Sequence, residues 1–127
     1  MKLQIDNRES NNRINSARQF FTDYHIEVGS YPVGDYIFDN KVCFEYKSAN
    51  DIISSIIDGR VFRQVERMKQ YPFSYVIVVG NVAETINERN ANYWNRRNQV
   101  KQFTVRNYLG ALARLQIESR VIHVDNN

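Results

Sequence analysis

The sequence predicts an α/β domain with a central mixed β-sheet flanked by helices, and three observations carry that reading. Tyr75-Val76-Ile77-Val78-Val79 is an unbroken, largely β-branched run closed by Gly80, which reads as a central strand covered on both faces. Residues at helical spacing recur before and after it, so strands and helices alternate along the chain. From Gly34 to Asp51 the period is two, yet charged residues stand inside segments that otherwise read as buried strands. A buried charge is costly unless it is paired or bound to a metal.

In chain order, Lys2 to Ile5 alternates and predicts a first strand, ending where Asp6, Arg8 and Glu9 cluster. Arg13 to Tyr24 carries Ile14, Ala17, Phe20, Phe21 and Tyr24 at helical spacing, with asparagines ahead of it as caps. His25 to Tyr31 predicts a second strand, and Pro32 and Gly34 turn the chain. A hairpin follows. Tyr36-Ile37-Phe38 and Val42 to Lys47 are its arms, and Asp39-Asn40 is its turn. From Ala49 the period becomes helical: Ile52, Ile53, Ile56 and Ile57 share a face, and Gly59 stands just past the helix end. The next helix places Val61, Phe62, Val65 and Met68 on one side and ends at Pro72. Asn81 to Gln102 is rich in asparagine and arginine, with little apolar periodicity, and predicts a loop with some short helix. Helical spacing returns with Val105, Tyr108, Leu109, Leu112 and Leu115, and Val121 to Val124 forms a last strand.

A chain of 127 residues is the size of one domain, able to bury about two thirds of its unfolded surface. Hydrophobic residues at 43% and charged residues at 24% argue against wholesale disorder. The net charge of +3 permits a nucleic-acid partner without requiring one, so where the charges lie matters more than their sum. Cys43 is the only cysteine, which excludes an internal disulfide and fits a reducing compartment; its place in a strand makes it a small buried residue. His25 and His123 are too far apart in sequence to suggest a zinc site. With no membrane-length apolar run and no signal pattern, the expectation is a soluble intracellular protein, in the cytoplasm or with chromosomal DNA.

The chemistry concentrates in the hairpin. On a regular strand Glu45 and Lys47 share one face, whereas Val42, Phe44 and Tyr46 share the other. Folding the hairpin brings Asp35 toward both. Two acids for a divalent cation, Mg2+ or Mn2+, with an ammonium beside them, suit metal-assisted hydrolysis of a phosphodiester. The plain alternative is a solvated hairpin with incidental charges. Ser48-x-x-Asp51 reads as a helix amino-terminal box, where an acid also complements the helix dipole. Arg8 has the planar fork that suits a phosphate.

Gly34-Asp35, then Glu45-Tyr46-Lys47, then Asp51, resembles the signature of the XPF-type (ERCC4-domain) structure-specific endonucleases, including the archaeal Hef nuclease: Gly-Asp, a short run, Glu-Arg-Lys, three residues and Asp. The likeness continues through Ser48 to Arg60 and back to Ile5-Asp6-Asn7-Arg8-Glu9, which is similar to that family's Asp-x-Arg-Glu opening. Tyr46 departs from the pattern, standing where the family usually has arginine.

The resemblance implies a restriction-endonuclease-like nuclease core over residues 1–127 as a single domain, without a helix-hairpin-helix domain. It implies a metal-dependent DNA endonuclease acting near flaps, forks or junctions in DNA repair or recombination, with a non-catalytic DNA-binding scaffold as the alternative. It implies Asp6, Asp35 and Glu45 as metal ligands, and Lys47, Asp51 and Arg8 as further catalytic residues. Arg60, Arg63 and Gln64 flank the bound strand by the same likeness. Arg89, Arg96, Arg97, Lys101 and Arg106, interleaved with Tyr93, Trp94 and Phe103, form a basic, aromatic segment suited to DNA. A homodimer is expected, as is a partner supplying recognition of DNA structure. The helix with Tyr108, Leu109, Leu112 and Leu115 is a candidate for the core or for the dimer.

Overall fold

A computed structural model describes residues 1–95 and 102–125. The order of elements is β1 (Lys2–Asp6), α1 (Asn11–Phe20), β2 (His25–Gly29), β3 (Tyr36–Phe38), β4 (Val42–Ser48), α2 (Ala49–Ile57), α3 (Arg60–Met68), β5 (Phe73–Val79), α4 (Val82–Asn95), α5 (Val105–Glu118) and β6 (Arg120–Val124). The strands form one mixed sheet in the order β2-β1-β3-β4-β5-β6. β3 runs antiparallel to β1 and β4, and the pairs β1–β2, β4–β5 and β5–β6 are parallel.

Alternation along β4 sorts its side chains between the two faces. Cys43, Glu45 and Lys47 are buried, and the intervening residues are only half-buried. On the first face α2, α3, α4 and α5 cover the main core, built from residues such as Ile37, Cys43, Ile52, Ile53, Val61, Val65, Met68, Val76, Val78 and Leu115. Across the sheet α1 packs a smaller core of Leu3, Ile5 and Ala17, with Ile14, Phe21, Tyr24, Tyr36 and Phe38 against it. This second layer does not reach β5 and β6. Val76 and Val78 are buried under helices, whereas Tyr75, Ile77 and Val79 are half-buried, and Ile122 and Val124 are exposed. The expectation of a strand covered on both faces is therefore corrected: the unbroken run reflects one core and one partly open apolar face. Phe44 and Tyr75 stack there, with centroids 5.2 Å apart.

The hairpin forms as the sequence predicts, with Tyr36 opposite Phe44 and Phe38 opposite Val42. Asp39 and Asn40 take φ of 52° and 56°, left-handed values that Asp and Asn tolerate, and the Lys41 amide donates to the Phe38 carbonyl at 2.9 Å. Gly34 has φ 89°, and a Cβ there would run into Cys43 Sγ, so only glycine lets the chain enter β3 against that buried thiol.

Other expectations are revised. Residues 81–102 were expected as loop with some short helix, but Val82–Asn95 is a helix of 14 residues. Val82 and Ile86, four apart, are its buried anchors, and Asn81 caps it by accepting from the Glu84 amide at 3.0 Å. The two anchors set α4 against α2, so tertiary packing rather than a long apolar stripe holds it. α1 ends at Phe20 rather than Tyr24, and Ser10 rather than an asparagine caps it. Ile52 and Ile53 are fully buried, but Ile57 is 56% exposed, so the four isoleucines do not share one environment. In α5, Tyr108 and Leu115 enter the core while Leu109 remains 59% exposed.

Candidate active site

The polar face of β4 meets the entrance to β3 at one end of the sheet. Because Tyr36 pairs with Phe44, Asp35 falls level with Glu45 just beyond the paired residues. Asp35 is fixed at three points: its amide donates to the Phe44 carbonyl at 2.8 Å, its carbonyl accepts from the Asp6 amide at 2.9 Å, and its Oδ2 accepts from the Tyr46 amide at 2.7 Å. Asp35 is thus set by β1 and β4 together, on a turn that Gly34 makes possible.

Glu45 and Lys47 are 8% and 6% exposed, which is rare for charged side chains and costly unless compensated. Burial pushes the Glu45 carboxyl up to about 8, and the hydrogen-bonded Asp35 carboxyl adds to the rise, while Lys47 and Arg8 oppose it. Burial lowers Lys47, against the pull of Glu45, Asp35 and Asp51. Glu45 therefore keeps its proton at neutral pH, buried beside the Asp35 carboxyl. One oxygen of the pair, Glu45 Oε2, is buried with no hydrogen-bond partner.

That oxygen provides a test of whether a cation suits the site. Among the described residues no group of three or more His, Cys, Asp or Glu side chains is arranged to hold an ion. Magnesium keeps several waters and commonly takes only one or two carboxylates, so a two-carboxylate site suffices. A cation on Asp35 and Glu45 would displace the Glu45 proton and satisfy Glu45 Oε2. The donor set fits.

Asp6 is fully buried, and its carboxylate already accepts four hydrogen bonds. Oδ1 takes the Arg8 amide at 2.9 Å and Arg8 Nε at 2.8 Å, and Oδ2 takes an Arg8 terminal nitrogen at 3.1 Å and the Tyr31 amide at 3.4 Å. Four donors fill the acceptor sites of an ionised carboxylate. Chiefly through the Arg8 side chain, its pKa is held below the ordinary value. Arg8 is 77% exposed, and Asp35 and Glu45 lie within its field. Asp6 thus holds a solvent-facing guanidinium beside the carboxylate pair, a role its place in the sequence did not reveal.

Ser48 caps α2, accepting from the Asp51 amide at 3.1 Å, as the Ser-x-x-Asp pattern predicts. Asp51 is exposed, and it acts on Lys47 through its charge. Arg60 pairs with Asp58, its Nε 3.4 Å from Oδ2, and its charge reaches Lys47 as well. Arg63 is exposed on α3, and Gln64 is half-buried with its Oε1 unpartnered. Arg96, Arg97 and Lys101, and the side chains of Tyr93 and Trp94, lie outside the described residues. Arg89 departs from the expected DNA-facing patch. It turns onto α2, donating to Asn50 Oδ1 at 2.6 Å and to Ser54 Oγ at 3.1 Å.

Comparison with known proteins agrees with this architecture. The solved structures of XPF from Aeropyrum pernix, one of them in complex with DNA, superpose with TM-scores of 0.71 and 0.72 over 98% and 99% of the chain. Identity is 23% and 22%, so the likeness is one of fold, and the chain covers 56% and 54% of those structures. A Methanocaldococcus jannaschii protein carrying an ATP-dependent RNA helicase name is 33% identical over 88 residues, which are 69% of this chain and 11% of that protein. The 3'-flap repair endonuclease Xpf of Saccharolobus solfataricus is 37% identical over 51 residues, 39% of this chain and 22% of that one. The chain therefore spans a minor part of these relatives. The ERCC4 domain matches residues 5–126, so nearly the whole chain takes part in the match and the protein belongs to the ERCC4 domain family.

Proposed function

We propose that the protein is a metal-dependent DNA endonuclease that hydrolyses phosphodiesters near branched structures such as flaps, forks or junctions, in DNA repair or recombination. One observation carries the reading: the buried Glu45 carboxyl, hydrogen-bonded to half-buried Asp35 and with its Oε2 orphaned, lies beside a buried lysine. Such a cluster is costly in a purely structural protein and useful in a hydrolase. The flap-repair name of the Saccharolobus solfataricus relative and the DNA complex of the Aeropyrum pernix structure support DNA as the substrate.

Asp35 and Glu45 would hold Mg2+ or Mn2+, which when bound polarises the phosphate and lowers the pKa of a bound water. Lys47 orients the attacking water or stabilises charge developing on the phosphate. Burial lowers its pKa, against the pull of Glu45. Arg8, held by Asp6, offers its exposed guanidinium to a phosphate oxygen. Asp51 steadies Lys47 through charge from the start of α2. Arg60, Arg63 and Gln64 on α3 flank the strand, with Arg96, Arg97 and Lys101 as further phosphate contacts.

A homodimer completes the reading, paired through the exposed side of α5, and a partner supplies recognition of DNA structure. The test is cleavage of labelled flap, fork, junction and duplex DNAs with Mg2+ or Mn2+, beside Asp35→Ala, Glu45→Ala and Lys47→Ala. Metal-dependent cutting lost in all three supports the assignment. Binding without cutting, unchanged by the substitutions, replaces it with a scaffold role.

A further inference from the structure

The face of the hairpin opposite the site carries a second cluster of polar side chains. Glu9 Oε2 accepts from Arg13 Nη1 at 3.2 Å and from the Tyr36 hydroxyl at 3.2 Å. The Glu9 side chain is only 8% exposed. Arg13 also lies over the Tyr46 ring, its Cζ 3.8 Å from the centroid. Burial, followed by the charge of Glu9, raises the Tyr36 phenol above its ordinary range, so it remains a donor to that carboxylate. The four residues come from four places: the turn after β1, helix α1, β3 and β4.

Three of the four are chain neighbours of candidate active-site residues. Glu9 follows Arg8, Tyr36 follows Asp35, and Tyr46 lies between Glu45 and Lys47. On a strand neighbours face opposite ways, so at Tyr36 and Tyr46 a clamp on one face fixes side-chain positions on the other, and at Glu9 it holds the turn that carries Arg8. The Tyr46 amide, directly behind the clamp, donates to Asp35 Oδ2 at 2.7 Å. We propose that Arg13 is a positioning residue for the active site: by joining Glu9 to Tyr46 it locks the β1–α1 corner onto the hairpin and sets the spacing of Arg8, Asp35 and Glu45. This inference rests on the nuclease reading. It also explains how a tyrosine serves at residue 46, since its ring is the bed for a guanidinium delivered from α1.

The test uses the full chain with Arg13→Ala, Tyr36→Phe and the double variant, each checked for folding by circular dichroism. Two quantities are read: steady-state cleavage of a branched DNA with Mn2+, and the metal-free Tyr46 amide resonance, whose downfield position reports its bond to Asp35. Arg13→Ala should lower kcat about tenfold or more and leave KM for DNA within twofold, and its Tyr46 amide should move upfield. Tyr36→Phe should give a smaller effect of the same kind. The double variant should lose less than the product of the single losses, because both side chains act through one carboxylate. An unchanged kcat and amide in a folded variant overturns the proposal, and so does a loss confined to KM, which would make Arg13 a DNA contact. If Arg13→Ala does not fold, Tyr36→Phe decides on the same two readouts. A parent chain that cuts no DNA defeats the nuclease reading alone, because the amide shift tests the clamp without activity.

Discussion

The Tyr46 amide donates to Asp35 Oδ2 at 2.7 Å, so the strand that carries Glu45 and Lys47 also aims the carboxylate facing them. Glu45, buried beside the Asp35 carboxyl, carries a proton it loses only near pH 8. Cation binding must expel that proton, which makes affinity depend on pH. With Glu45 raised to about 8, Mn2+ affinity should rise about tenfold per pH unit from pH 6 and level off above pH 8. Calorimetry in buffers of different ionisation enthalpy should count close to one proton released at pH 7. Glu45→Gln should weaken binding and flatten the slope.

The same shift links stability to pH in the metal-free protein. Glu45 ionises at about 8 when folded and at its ordinary 4.5 when unfolded, so between those values the folded chain retains a proton that the unfolded chain has shed. Stability supplied by the protonated group is full below the lower value and is lost as pH rises toward the upper one. Lys47, lowered by burial, acts in the opposite sense as pH rises toward its ordinary 10.5. Glu45→Gln keeps the shape and removes the titration, so it should stabilise the protein at pH 8 relative to pH 5 by on the order of 3 kcal/mol. Urea unfolding of parent and variant at both pH values measures the difference.

Tyr46→Arg restores the usual family residue but should not raise activity. A second guanidinium at residue 46 meets Arg13, which lies 3.8 Å over the tyrosine ring, and the stacking contact is lost. That contact is worth about 0.5–1 kcal/mol at a partly exposed site, so the thermal midpoint should fall by a few degrees. In an Arg13→Ala background the new arginine can take over the Glu9 carboxylate that Arg13 vacates, and cleavage should return toward the parent rate. Rates for the parent, both single variants and the double variant decide it.

The hairpin was legible because period-two spacing, an Asp-Asn turn and charge inside apolar strands are all local signals. Asp35, Glu45 and Lys47 meet as those signals predict. What the sequence hid depends on partners distant in the chain. The Tyr31 amide reaches Asp6 across 25 residues, and Arg89 reaches Asn50 across 39. Neither spacing leaves a periodic trace. α4 was hidden because its apolar stripe is thin: among its described side chains Val82 and Ile86 alone are buried, and it packs on α2. The open face of β5 was hidden for the converse reason: Tyr75, Ile77 and Val79 look buried by type yet are only half-buried.

α5 divides between core and surface in a way that separates folding from pairing. Tyr108 and Leu115 are 5% and 0% exposed, whereas Leu109 and Ile117 are 59% and 81% exposed on the outer side. Large apolar side chains left in water on one helix are candidates for a subunit contact. Replacing Leu109 and Ile117 by glutamate should therefore leave the fold intact, because substitutions at exposed sites usually change stability by no more than about 0.5 kcal/mol each. Sedimentation at micromolar concentration should move from dimer to monomer in the double variant, with an unchanged circular dichroism spectrum. A parent that sediments as a monomer at every concentration removes pairing through α5, and a variant that still dimerises moves the contact to another face. An effect on cleavage with no change in mass would instead place Leu109 or Ile117 against the DNA or the recognition partner.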